Sequence, residues 1–343
     1  MIKIGICGLG RVGKSILRHL YDSSEQEIRV VAIKEHNSLS YSNEDYVRNM
    51  AYLLRDDSIY GKFPVDVNSE GTKLLIGDDK IPVLLDSYID QVDWQKFGTD
   101  VIIEASGNLK NIQNVKKCLG GSVKKAIITR GTDEADITLV HGVNEGLYDK
   151  KQHDIISVST CTGNAFAPIA NFVDNNYGII NGFVSTIHPV LSDEKMLDGS
   201  HKVFALGKSF RNIKVVDTSV VKSTVDVLPH LNNKLHVDSV SYRVPTDIVS
   251  AVYAVIKLEN PPTKKDFEES FEIAINNDLE GIIGSTSGFH GQPFVSSEFL
   301  LSKYSGILDM NWLGVMDDLL RLHIWHDNEY GYVTRVIDTL MML

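Results

Sequence analysis

Cysteine is scarce in this chain. Cys7, Cys118 and Cys161 are spread through 343 residues, too few and too scattered for a disulfide framework, so each thiol is free to be judged alone and a reducing compartment is expected. Long apolar runs are missing too: none approaches the ~18 to 20 residues that cross a bilayer. The first residues start a strand-like pattern without a charged leader into a signal core, so the expectation is a cytoplasmic protein with no membrane role. Positive charge is also in short supply. A net charge of -11 repels polyanions and argues against a nucleic-acid partner, while local basic pockets can still take small anions. There are no repeats, no low-complexity linker, and no call for a metal. What remains is a chain long enough for two domains, 43% hydrophobic, with material for a large core.

The start of the chain reads strand, turn, helix, strand: "IKIGIC", "GLGRVG", "KSILRHLYDS", "IRVVAIKE". An apolar strand, a helical period and a second apolar strand make a βαβ unit of a parallel sheet. From about Tyr41 to Asp100 the pattern loosens into an insertion, in which "KFPVDVNSEGTKLLIGDDKIPVLL" alternates around turn signals like a pair of antiparallel strands. The runs "DVIIEASG", "KKAIITRG" and "ITLVHGVN" then resume the parallel sheet. Beyond Ala170, "GIINGFVSTIHPV", "HVDSVSYRVPT" and "VSAVYAVIKLEN" suit one mostly antiparallel sheet, followed by a helical period in "TKKDFEESFEIAINND" and a terminal amphipathic helix in "NEYGYVTRVIDTLMML". The expected class is α/β, a doubly wound parallel sheet plus an α+β domain. Its boundaries are 1–160 for the nucleotide domain, with a helix at about 328–343 packing back on it, and 161–327 for the second.

Gly8, Gly10 and Gly13 follow the first strand and open the first helix. In a dinucleotide site such glycines permit a tight turn, close backbone approach to a pyrophosphate and close helix-to-strand packing, with the helix N-terminus facing the anion. Glu35 stands at the end of the second strand, 22 positions past Gly13, where an acceptor for ribose hydroxyls belongs. A carboxylate there repels a 2′-phosphate, and alternation along the strand aims Lys34 away from it, which favours NAD. On residues alone, a glycine-rich turn that binds no nucleotide stays open.

In "STCTGNAFAPIA" Cys161 precedes a small-residue run that can open a helix with Pro168 in an early turn. A helix N-terminus lowers a thiol pKa and offers backbone N–H groups to an oxyanion. "STIHPV" puts His188 on a strand 27 residues later, and imidazole takes and returns protons at neutral pH. An inert buried thiol and a structural histidine remain alternatives at this level. Cys118 falls at the far end of a helix, where the dipole disfavours a thiolate, and Cys7 in strand core.

Five separated blocks, "GLGRVG", "AIKE", "TCTGNA", "YRVPT" and "DNEYGY", stand in the order of a known family. Over essentially its whole length the chain resembles the phosphorylating glyceraldehyde-3-phosphate dehydrogenases and their erythrose-4-phosphate relatives. The resemblance implies Cys161 as nucleophile, His188 as base, and Asn328 as the residue that orients the nicotinamide carboxamide. Arg11, Val12, Glu35, Gly107 and Thr129 match cofactor-lining positions beside the three glycines. Thr160, Thr162, Asp193, Thr218, Ser219 and Arg243 match positions for substrate and phosphate. The implied reaction is glycolytic: NAD-dependent oxidation of a phosphorylated aldehyde, with inorganic phosphate opening a cysteine thioester, in a homotetramer.

Departures from the pattern sit in the phosphate region. Leu191 stands where the family places a threonine that holds the substrate phosphate, Ser219 replaces a glycine, and Ala165 replaces a second cysteine. The Arg-rich loop becomes "HKVFALGKSF", with Lys208 and Arg211 as its nearby cations. Glyceraldehyde 3-phosphate is the expected substrate, with erythrose 4-phosphate second because "VVDTS" and Leu191 both point that way. A catalytically idle nucleotide-binding paralogue is the alternative from another class.

Overall fold

The computed structural model describes residues 1–22, 27–39, 41–235, 239–289 and 291–343. Ser23, the last residue of the first expected helix, and His236, Val237 and Asp238, the first of the expected run 236–246, lie outside the described residues. The chain divides into two compact units: residues 1–138, 148–158 and 336–343 in the first, and residues 139–147 and 159–335 in the second.

In the first unit the strands are β1 (Ile2–Cys7), β2 (Ile28–Lys34), a two-residue ladder of β3 (Asp56–Asp57) with β4 (Gly61–Lys62), then β5 (Val67–Glu70), β6 (Lys73–Ile76), β7 (Asp79–Leu84), β8 (Val101–Glu104), β9 (Lys125–Ile128), β10 (Ile137–Thr138) and β11 (Ile155–Ser157). The helices are α1 (Arg11–Asp22), α2 (Asn43–Arg55) and α3 (Leu109–Asn114). The main sheet runs in the order β10-β11-β9-β8-β1-β2-β7-β6-β5. All pairs from β10 across to β7 are parallel. Strand order reverses at β1, the place where doubly wound sheets bind ligands beyond their carboxyl ends. Apolar side chains from both faces bury Ile4, Ile6, Ile33, Ile103 and Ile127 completely.

Two expectations need correction here. The 62–85 segment is a meander of three antiparallel strands, and its last strand also joins β2 in parallel, so it widens the main sheet. The alternation of "IPVLL" is the same for either neighbour, so sequence pattern could not separate them. The run 137–144 contributes only the two ladder residues of β10, because Gly142 at φ +79° and the amides of Val143 and Asn144 on the Val140 carbonyl turn the chain.

The second unit contains α4 (Cys161–Tyr177), β12 (Ile179–His188), β13 (Lys214–Asp217), α5 (Val220–Val225), β14 (Val240–Arg243), β15 (Ser250–Leu258), α6 (Lys264–Ile275), β16 (Ile283–Ser285), β17 (Gly306–Leu308), β18 (Gly314–Met316) and β19 (Leu319–His326). α7 (Tyr330–Met341) begins in this unit. The sheet order is β13-β14-β12-β15-β19-β17-β16, with β18 on β19. It is mostly antiparallel, as expected; β12 with β14 and β16 with β17 are parallel. One face packs Val184, Val252, Ile256, Leu322 and Ile324 against Phe166, Ile169 and Val173 of α4. Pro168 is the eighth residue of α4, inside the helix. A proline there removes one interior hydrogen bond, and burial of almost the whole helix compensates.

Candidate active site

The first unit gathers the expected cofactor residues at the carboxyl ends of four adjacent parallel strands. Gly8 follows β1, Glu35 follows β2, Gly107 lies just past β8 and Thr129 follows β9. Ladder hydrogen bonds bind these loops together: Gly8 N–H to Lys34 C=O at 2.8 Å, Ala105 N–H to Cys7 C=O at 2.8 Å, and Thr129 N–H to Glu104 C=O at 3.0 Å. Gly8 has φ +97°, and a Cβ there would fall 2.5 Å from the Ser106 backbone. A Cβ on Gly13 would run into the Gly8 carbonyl oxygen, whereas one on Gly10 would meet nothing within 4 Å. Two glycines are thus demanded by the fold. The third borders open space at the N-terminus of α1, which is what an approaching pyrophosphate needs.

Glu35 accepts the amides of Leu9 at 3.2 Å and His36 at 3.2 Å, so its carboxylate is fixed beside the glycine turn. Lys34 is buried and donates to Ser87 C=O at 3.3 Å, away from that carboxylate. Arg11 and Val12 are the first two residues of α1. The Arg11 guanidinium is turned onto Asp57 and lies over the Tyr60 ring at 5.5 Å, so its contribution to the site is the backbone at the helix start. Burial works against ionising Asp57, but the hydrogen bond from Arg11 and the amides of Tyr60 and Ile59 outweigh it and hold the carboxyl at about 2. Sequence reasoning missed Asp57, which carries no local signal 46 residues from its partner.

In the second unit Cys161 is the first residue of α4. Thr160 caps the helix, its hydroxyl oxygen accepting Gly163 N–H at 3.0 Å while its proton goes to Ser223 Oγ at 3.0 Å. Ser159 before it holds φ +50°, a left-handed conformation unusual for a side chain of its kind and common at functional turns. Burial pushes the Cys161 thiol up to about 11, against lowering by the Thr162 N–H, Arg243 and its own N–H. The expectation of a net lowering at the helix end is therefore corrected: the helix end acts in the expected direction, and burial is larger. Cys118, at the end of a 3-10 turn, is raised to about 12 by burial and then by Asp90, and burial also raises Cys7.

His188 ends β12 and is buried. Its Nδ1 lies 2.8 Å from Pro189 C=O. A carbonyl only accepts, so the proton is on Nδ1 and Nε2 keeps the lone pair of a base. Burial and then the Arg243 charge lower its pKa to about 4. Strand register explains the setting. Lys214 pairs with Arg243 and Arg243 with His188; Ile187 pairs with Ala251, so Ser250 comes next in line; and Ser250 pairs with His326. Five polar side chains thus form one row on the helix-covered face at the end of the sheet. Burial and then the His188 charge lower His326 to about 3.

Thr218 follows β13, its hydroxyl taking the Val220 amide at 3.4 Å. Ser219 occupies the N-cap of α5 without a side-chain cap. Asp193 is largely exposed and lies 3.6 Å from His201, Leu191 is exposed, and Thr162 is buried. Asn328 follows β19 and is buried, with Oδ1 lacking a hydrogen-bond partner among the described residues. Asp327 accepts the amides of Glu329 at 3.0 Å and Tyr330 at 2.8 Å and so caps α7.

A dinucleotide cradle in one unit and, in the other, a helix-capped thiol with a half-buried arginine and a neutral histidine point to the class of NAD-dependent dehydrogenases. The comparisons agree on which kind. Residues 2–112 match the glyceraldehyde 3-phosphate dehydrogenase NAD binding domain and residues 160–328 its C-terminal domain. Glyceraldehyde-3-phosphate dehydrogenase 1 of Bacillus cereus is 33% identical over 340 residues, 98% of this chain and 97% of the relative. The enzyme of the same name from Bacillus subtilis is 33% identical over 339 residues, 98% and 96%, and glyceraldehyde-3-phosphate dehydrogenase of Mycobacterium avium is 32% identical over 348 residues, 100% and 98%. The chain belongs to the glyceraldehyde-3-phosphate dehydrogenase family.

Proposed function

We propose that this chain oxidises glyceraldehyde 3-phosphate with NAD and inorganic phosphate to 1,3-bisphosphoglycerate through a thioester on Cys161. The observation that carries the reading is Cys161 at the first position of α4, in the field of Arg243, whose strand neighbour is His188. Gly8 and Gly13 shape the turn and Gly10 leaves room for the cofactor's pyrophosphate, the N–H groups of Arg11 and Val12 would hold it, and Glu35 would accept the ribose hydroxyls, with Gly107 and Thr129 completing the lining. Asn328 Oδ1, without a hydrogen-bond partner among the described residues, would accept from the nicotinamide carboxamide. When bound, NAD accepts the hydride from the aldehyde carbon. The thiol supplies the nucleophile, and His188 Nε2 takes the hydroxyl proton formed when sulfur adds to the carbonyl. Inorganic phosphate then opens the thioester and frees the thiol. Arg243, with Thr218, offers the substrate anion a guanidinium fork and a hydroxyl.

Three free thiols support a cytoplasmic setting. The homotetramer is supported by the outward phase of the second sheet, where Phe183, Tyr242, Tyr253 and Val215 are all exposed, as on a face that pairs with another subunit. Erythrose 4-phosphate stays the second reading on one observation: Leu191 gives no hydroxyl beside the base. The test is the specificity constant for each aldehyde, with and without phosphate. A preference for the four-carbon substrate with rates indifferent to phosphate replaces the triose reading, and no NADH from either aldehyde supports the idle paralogue.

A further inference from the structure

The buried end of the second sheet carries more charge than a thiol and an imidazole require. Glu194, three residues past Leu191, sends one carboxylate oxygen to Lys214 Nζ at 2.8 Å, both side chains 2% exposed. Its other oxygen lies 3.7 Å from Arg243 Nε and accepts the Leu191 amide at 3.3 Å. Lys214 and Arg243 are ladder neighbours. Arg243 Nε and Nη1 are buried and have no hydrogen-bond partner among the described residues. Two cations share this carboxylate, with Asp193 the further acid acting on Arg243, and the half-buried guanidinium keeps two buried donors without a partner among the described residues, a setting that calls for an anion.

We propose that Glu194 is a positioning residue, with Lys214 as its counter-ion, that fixes the Arg243 guanidinium and so sets the preference for an aldehyde carrying a phosphate. The inference rests on Arg243 as the phosphate contact, as proposed above. Without Lys214, Glu194 closes onto Arg243 as a neutral fork-to-fork pair and consumes the donors meant for substrate. Without Glu194, buried Lys214 and half-buried Arg243 face each other across adjacent strands as two cations, and the guanidinium is driven away. The Leu191 position fits the same logic. Its side chain has no hydroxyl for the phosphate, but its amide anchors the carboxylate that places the arginine.

The experiment measures KM and kcat with glyceraldehyde 3-phosphate and with glyceraldehyde for Lys214→Met, Lys214→Arg, Glu194→Gln/Lys214→Met and Arg243→Gln. Lys214→Met should raise KM for the phosphorylated aldehyde by about 10- to 100-fold, the effect of losing one charge-assisted contact. Turnover at saturation and KM for glyceraldehyde should hold, and Lys214→Arg should restore the wild-type value. The double variant removes the carboxylate and its counter-ion together and leaves the Arg243 guanidinium unheld, so it carries the test should Lys214→Met fail to fold by thermal melting. An equal loss for both aldehydes marks a merely structural pair and overturns the proposal, as does a folded double variant with wild-type KM. Arg243→Gln separates the two levels: if it leaves KM for the phosphorylated aldehyde alone, the Arg243 reading itself falls, whereas if it raises KM and the pair variants do not, only the positioning role falls.

Discussion

Gly10 and Gly13 look alike in sequence, and alanine at each should fail differently. At Gly13 the new methyl meets the Gly8 carbonyl oxygen, an atom held by the β1 end and unable to give way. Overpacking of that kind costs about 1 to 3 kcal/mol, so Gly13→Ala should lower the melting temperature with or without NAD. At Gly10 a Cβ meets nothing within 4 Å, and no left-handed φ penalises a side chain there. Gly10→Ala should be as stable as wild type, or more stable by about 0.4 to 1 kcal/mol because the unfolded chain loses freedom. The methyl then occupies the space left for the pyrophosphate, and NAD affinity should fall by at least about tenfold, equivalent to ~1.4 kcal/mol. Calorimetric titration with NAD and a thermal melt of the apo protein read the two effects apart. Wild-type NAD affinity in Gly10→Ala would refute the placement of the cofactor at this turn.

Further outcomes follow from the thiol and the buried histidines. Cys161→Ser should abolish turnover and leave fold and NAD binding intact, since a hydroxyl supplies almost no anion at neutral pH; iodoacetamide that stops activity by labelling Cys7 or Cys118 would contradict it. With the thiol at about 11, labelling of Cys161 should keep rising with pH from 7 to 10, and a plateau below pH 7 would show that Arg243 and the helix end outweigh burial. His188→Asn should cut kcat by about 10²- to 10⁴-fold with NAD affinity unchanged. His326, held at about 3, stays neutral in the folded state while the unfolded chain takes up a proton below its ordinary pKa of about 6.5. Stability is therefore lost as pH falls below that value, by about 2 kcal/mol at pH 5 from this residue. His326→Phe should remove that share from the urea midpoints at pH 7 and 5, and identical pH slopes would sink the argument.

What was legible in the sequence is what local chemistry dictates. The glycine turn, Glu35 at its strand end, the thiol at a helix start and the histidine at a strand end are each written within a few residues, because the elements that place them are contiguous. Relations made by register were out of reach. Glu194, Lys214 and Arg243 are scattered over 50 positions and meet only because β13, β14 and β12 are neighbours in the sheet. The sign of the thiol shift was also hidden: the helix-end contribution is local, whereas the burial that outweighs it comes from the fold around it.

Arg243 acts on both Cys161 and His188, and in the proposed reaction that would tie substrate binding to proton transfer. Its charge lowers the thiol and also lowers His188, so in the proposed reaction it would aid the nucleophile and weaken the base of the free enzyme. A substrate phosphate on the guanidinium cancels most of that charge, and both pKa values should then rise. For His188 the change is useful, since a base of higher pKa takes a proton more readily just when the aldehyde is present. The sign can be checked in pH profiles, because kcat/KM reports groups of the free enzyme and kcat those of the complex. With glyceraldehyde 3-phosphate, the acid limb of kcat should lie at higher pH than the acid limb of kcat/KM; with glyceraldehyde, which brings no anion, the two limbs should coincide. If they coincide for both aldehydes, the phosphate does not neutralise Arg243, and the coupling between anion binding and the base is absent.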